Sequence, residues 1–129
     1  MLTALQSPIR ISTVRCEALE CSGWWRVSWR LQNRATERLC VEDAWVPHGC
    51  FRGEGHLSLG AQLVPGGWYR LELNVWAQET PGTVVQNAFL ILQVRGKTLG
   101  WRVFARMHIK FPLSGGMRPI VELVTVQAL

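Results

Sequence analysis

VVQNAFLILQVRGKTLGWRVFARMHIKF, from Val84 to Phe111, is two long apolar runs around a short loop bounded by glycines. In the second run Trp101, Val103, Ala105, Met107, Ile109 and Phe111 share one parity. Arg102, Arg106, His108 and Lys110 take the other, with Phe104 as its one apolar member. Such period-two alternation marks a strand with one face in a core and one in water. The first run, Ala88 to Val94, is apolar on both parities, the pattern of a central strand covered on both faces. Gly96-Lys97-Thr98-Leu99-Gly100 supplies the turn. The stretch therefore predicts a long β-hairpin, and the remaining chain must supply strands that pack on it.

Those strands are legible on the N-terminal side. Ile9, Ile11, Val14, Cys16 and Ala18 predict a first strand, with a bulge near Thr13 where the parity slips. Trp25, Val27, Trp29 and Leu31 form one face of a second, with Trp24, Arg26, Ser28, Arg30 and Gln32 on the other. After the Asn33–Thr36 turn, Leu39, Val41 and Trp45 mark a third strand. It must end near Val46, because Pro47 has no N–H for a ladder. A glycine-rich loop follows, His48 to Gly55, and then a short fourth strand with Leu57, Leu59, Ala61 and Leu63. Pro65-Gly66-Gly67 turns the chain into a fifth strand, with Tyr69, Leu71, Leu73 and Val75 alternating against Arg70, Glu72, Asn74 and Trp76. Beyond the hairpin, Ile120 to Val126 is an eighth candidate. No helical period survives ten residues. The expectation is one all-β domain over residues 1–129 with a short tail at 1–7. An antiparallel β-sandwich of seven to eight strands is favoured, with a closed β-barrel as the alternative.

The order Trp29-x-Leu31-x-Asn33, a polar turn, Leu39-x-Val41, a loop with Gly49 and Phe51, and Leu63-Val64-Pro65-Gly66-Gly67 before an alternating strand carries a resemblance. It resembles immunoglobulin-like domains of the bacterial cell-adhesion-related and major-sperm-protein-like kinds. The similarity covers roughly residues 25 to 82 and is one of strands and turns, with no catalytic motif. It implies an immunoglobulin-like sandwich that works as a binding or spacer module.

Composition sets bounds. A chain of 129 residues buries roughly two thirds of its unfolded surface, enough for a core without staples. The net charge is +5, and the basic residues are almost all arginine, which makes planar and stacked contacts that lysine does not. Seven tryptophans suit a broad flat core, or rings left outside for binding. There is no basic leader with an apolar run behind it, and no run near the roughly 18 apolar residues of a spanning helix. A cytoplasmic location and no membrane partner are expected.

Four cysteines, Cys16, Cys21, Cys40 and Cys50, lack a secretory context for disulfides. Cys40, His48, Cys50 and His56 are the one group with zinc or copper ligand chemistry, although no C-x-x-C sets their spacing. A metal-binding protein using them is an alternative function, and no cofactor is expected otherwise. Neither G-x-S-x-G nor H-E-x-x-H occurs. Glu42 and Asp43 are adjacent, so on a regular strand they face opposite ways. The chain reads as non-enzymatic.

Two polar faces point to partners. Arg102 and Arg106 flank Phe104 on one strand, and Arg26 and Arg30 lie on another. If those strands are neighbours, they form one cationic patch with Trp24 at its rim, able to take nucleic acid or another polyanion. Phe89, Ile91, Phe104 and Trp76 fall on outward parities, so they are expected to meet water and offer a surface to a protein partner or a second copy. The expected function is a protein-interaction or structural module. Its expected contact residues are Trp24, Arg26, Arg30, Trp76, Phe89, Ile91, Arg102, Phe104 and Arg106.

Overall fold

The computed structural model describes residues 6–129. Most of the expected tail therefore lies outside the described residues. The described chain has ten strands and no helix: β1 (Ile9–Ala18), β2 (Trp24–Asn33), β3 (Leu39–Trp45), β4 (Pro47–His48), β5 (Phe51–Gly53), β6 (Leu57–Leu63), β7 (Trp68–Trp76), β8 (Val84–Arg95), β9 (Gly100–Lys110) and β10 (Arg118–Ala128). Among the described residues no helix is long and apolar enough to cross a membrane.

The strands form two five-stranded antiparallel sheets, β1-β2-β7-β5-β4 and β10-β9-β8-β3-β6. They do not close into a barrel, so the architecture is the expected β-sandwich. The count is ten because the loop after Val46 contains a small hairpin, β4 with β5. Strands of two and three residues are too short to show a period.

The core lies between the sheets. Val27, Trp29, Leu31, Leu71 and Val75 from the first sheet meet Leu90, Leu92, Val103, Ala105, Met107 and Ile109 from the second, all buried. In the 84–111 stretch the inward residues of Ala88–Val94 and of β9 are on the expected parity, while Val85, before a register shift in β8, is inward on the other. Trp25 and Leu73, expected inside, are half-buried near the margin of the core. Their half-burial reflects position rather than a reversed face, since both pack on the core cluster. β8 is not covered on both faces. Its second face carries Phe89 and Ile91, half-buried by their neighbours in the same sheet, and β10 extends that sheet beside β9 instead of crossing over it.

At one end of the sandwich a single buried side chain makes three hydrogen bonds. Asn33 is buried, and its Nδ2 donates to the Glu37 carbonyl at 2.8 Å and the Leu63 carbonyl at 2.9 Å. Its Oδ1 accepts from the Ala35 amide at 2.8 Å. Those bonds join the β2–β3 turn to the end of β6. Next to it, Val64-Pro65-Gly66-Gly67 is a type II turn. Gly67 N donates to Val64 O at 2.8 Å, Pro65 presets the first corner, and Gly66 takes the positive φ of 79° that the second corner needs.

Candidate interaction surface

The outer face of the β10-β9-β8-β3-β6 sheet is apolar at its centre, and β-bulges put the apolar groups there. In β3 the register slips between Val41 and Asp43. In β8 it slips between Val85 and Ala88, where Asn87 adopts φ 57°. In β10 it slips between Val121 and Leu123. One extra residue reverses the face of everything beyond it. Val41, Val85 and Val121 point inward. Without the bulges Trp45, Phe89 and Leu123 would share their parity and enter the core. With them, Ala44, Ala88 and Val124 turn in and the three large side chains turn out. Asparagine tolerates the left-handed conformation that the β8 bulge requires.

Register then gathers these groups into adjacent rows. Leu123, Arg106 and Phe89 lie side by side across β10, β9 and β8. The next row is Thr125, Phe104, Ile91 and Trp45. Phe89 and Phe104 meet edge to face, with ring centroids 6.4 Å apart and planes at 88°. Leu123 is 47% exposed at the sheet edge. Phe89, Ile91 and Phe104 are half-buried rather than fully in water, because long neighbours lie against their flanks.

Polar groups frame the apolar centre. Glu122 holds His108 Nδ1 at 2.9 Å and Arg106 at 3.8 Å. Glu42, the extra residue of the β3 bulge, accepts from Arg95 Nε at 3.2 Å. Asp43 Oδ2 lies 2.6 Å from His56 Nδ1, and the His56 ring stacks on Trp45 at 4.2 Å. Arg102 lies over the other part of this cluster, its guanidinium carbon 5.8 Å from the Trp45 ring. Its Nε is buried without a protein partner. Arg102 and Arg106, expected to be exposed, are thus half-buried against rings and carboxylates. Around these rows Arg95, Arg102 and Arg106 balance Glu42, Asp43 and Glu122, with Lys110 farther out at the end of β9.

The expected single cationic patch does not form. β2 pairs with β1 and β7, so Arg26 and Arg30 lie on the outer face of the first sheet, turned away from Arg102 and Arg106. Trp24 and Trp76 are cross-strand neighbours on that same first sheet, so Trp76 is separated from Phe104 as well. There Arg52 lies over the Trp76 ring at 4.4 Å and Arg30 over Trp68 at 4.7 Å. Of the expected contact residues, Phe89, Ile91, Arg102, Phe104 and Arg106 come together. Trp45, Leu123 and His56 join them without having been expected, because the bulges in β3 and β10 leave no slip in the apolar pattern and His56 reaches Trp45 from a loop.

The metal alternative comes apart in the same way. Cys40 sits on β3 near Glu42 and Arg95; burial and Glu42 push its thiol pKa up, and Arg95 opposes them. His48 Nδ1 accepts from the Cys50 amide at 2.9 Å, and His56 is held by Asp43. Among the described residues no three His, Cys, Asp or Glu side chains are placed to share a metal ion. No two cysteines are bonded. Among the described residues, no imidazole is hydrogen-bonded to a serine, threonine or cysteine side chain.

A cleft of about 790 Å³ opens between the β1 and β10 edges, lined by Ile11, Cys16, Trp25, Met117 and Val121 among others. Burial, with Glu17 beside it, pushes the Cys16 thiol up to about 12, so it is a poor nucleophile there. No protein-family model, curated protein or solved structure matches this chain.

Proposed function

We propose that this protein is a non-catalytic interaction module on an immunoglobulin-like sandwich, docking through the outer face of the second sheet. The strand and turn order from Trp25 to Gly82 supports the immunoglobulin-like part. The observation that carries the function is the set of three bulges in β3, β8 and β10. Each moves a large apolar side chain out of the core, and their register gathers Trp45, Phe89 and Leu123 around Ile91 and Phe104. Core burial of one such side chain contributes about 1.5–3 kcal/mol, so displacing three needs compensation at that face. Aromatic anchors with arginine at their margin are a common interface composition.

The occupant is a second copy of this chain. Around the apolar rows the face carries three arginines and three carboxylates, so a two-fold related copy can place opposite charges against one another at the margin. Sedimentation velocity at micromolar concentration tests this on wild type, Phe104→Glu, and Arg30→Glu as a control on the opposite sheet. Wild type and Arg30→Glu should sediment as dimers and Phe104→Glu as a monomer. A wild-type monomer throughout, or a dimer insensitive to Phe104→Glu, overturns the reading.

A further inference from the structure

The two ends of the sandwich differ in charge. Three connections meet at one end: residues 34–38 between β2 and β3, 64–67 between β6 and β7, and 96–99 between β8 and β9. Asn33 ties the first to the end of β6, and the Lys97 amide donates to the Glu37 carboxylate at 3.4 Å, tying the first to the third. Cations crowd this end. Arg34, Arg38 and Lys97 lie on the turns, with Arg10 and Arg95 at the adjoining strand ends. Glu37 is the one carboxylate on these turns, while Glu42, farther along β3, reaches Arg95. The loops at the opposite end carry Glu20, Glu54 and Glu79 and the exposed Leu113, with Lys110 and Arg118 at the adjoining strand ends, so that end is close to neutral.

The cationic end also exposes apolar tips. Val64 is 51% exposed, Leu99 58% and Trp68 57%. Val64 and Trp68 flank the 64–67 turn, and Leu99 lies on the 96–99 turn. Trp68 stacks under Arg30, leaving an amphipathic ring at the level of a guanidinium.

We propose that this end of the sandwich docks on an anionic lipid bilayer. Basic side chains near an acidic leaflet are drawn to its headgroups, and tryptophan favours the boundary between headgroups and acyl chains. Val64 and Leu99 then enter the boundary as shallow apolar anchors. Single-stranded nucleic acid would use the same cations but leave the two aliphatic tips without a role. The expectation of no membrane partner rested on the lack of a spanning run, which surface docking does not require. End-on docking leaves the outer face of the second sheet uncovered, so the proposal stands independently of self-association.

Co-sedimentation with vesicles tests it, comparing phosphatidylcholine alone with phosphatidylcholine plus phosphatidylserine. The protein should bind the anionic vesicles at low salt, bind neutral ones weakly, and lose binding as salt shortens the screening length. Replacing Arg34, Arg38 and Lys97 by Gln should weaken binding about a hundredfold, since each cation near such a surface adds about fivefold. Val64→Ser with Leu99→Ser should weaken it at every salt concentration. Both variants change exposed side chains, and an unchanged thermal melt verifies that they fold. No binding to anionic vesicles at low salt, or equal binding to neutral ones, overturns the proposal. So does capture of single-stranded DNA with no vesicle binding.

Discussion

Replacing Trp29 probes the core at its most buried large side chain. The residue is fully inaccessible at the centre of the first sheet, between Thr13 of β1 and Leu71 of β7. Its indole Nε1 is buried with no protein partner. Trp29→Ala removes the largest apolar contact surface in the core and leaves a void that neighbours on two paired strands cannot fill by collapsing. The expected cost is about 3–5 kcal/mol, a large share of the stability of a domain this size. Trp29→Phe keeps most of the apolar volume and also deletes the unpaired donor, whose burial costs about 1–3 kcal/mol. The two terms oppose each other, so the Phe variant should lie within about 1 kcal/mol of wild type. Urea unfolding followed by far-UV circular dichroism separates the cases, with the midpoint shifting and the slope unchanged. An Ala variant costing less than about 1 kcal/mol would show that β2 presents its other face to the core. A Phe variant as unstable as the Ala variant would show that the indole N–H is satisfied after all.

Asn33→Ala should cost about 2–4 kcal/mol, because one truncation leaves two carbonyls and an amide short of partners at a buried turn; the same unfolding assay reads it. Gly66→Ala should cost about 1–2 kcal/mol through backbone strain alone, since its Cβ meets nothing within 4 Å; Gly66→Asn should recover part of that loss. Timed thiol labelling at pH 8 should modify the exposed Cys21 and Cys50 first and Cys16 last. The raised Cys16 value also sets a sign for stability. The unfolded thiol ionises near 9 and the folded one near 12, so its contribution is complete below pH 9 and is lost as pH rises from 9 to 12. Cys16→Ser should flatten that part of the stability–pH curve.

Much of this fold can be read from residue patterns, for local reasons. β9 alternates cleanly because one face is core and the other polar, and Pro65-Gly66 names its own turn. The Thr13 bulge is visible because Ile11 and Cys16 fall out of phase. What sheet each strand joins is different, because a period says which residues share a face and nothing about which strand lies beside it. Arg26 and Arg102 looked like one patch for that reason, and pairing of β2 with β7 instead of β9 separated them. The bulges in β3, β8 and β10 are equally silent. Glu42, Gln86, Asn87 and Glu122 look like ordinary strand residues, yet they decide that Trp45, Phe89 and Leu123 belong to the candidate surface. Ser28 is on an outward parity and is still buried, because Arg70 and Glu72 lie across it.

The docking face is tested most directly by nuclear Overhauser contacts between copies, filtered for pairs of one isotope-labelled and one unlabelled chain. The account predicts intermolecular contacts among the ring protons of Phe89 and Phe104 and the methyl groups of Ile91 and Leu123. Intermolecular contacts confined to other surfaces, such as Leu113 or the first sheet, or none at concentrations where the protein is dimeric, would contradict it.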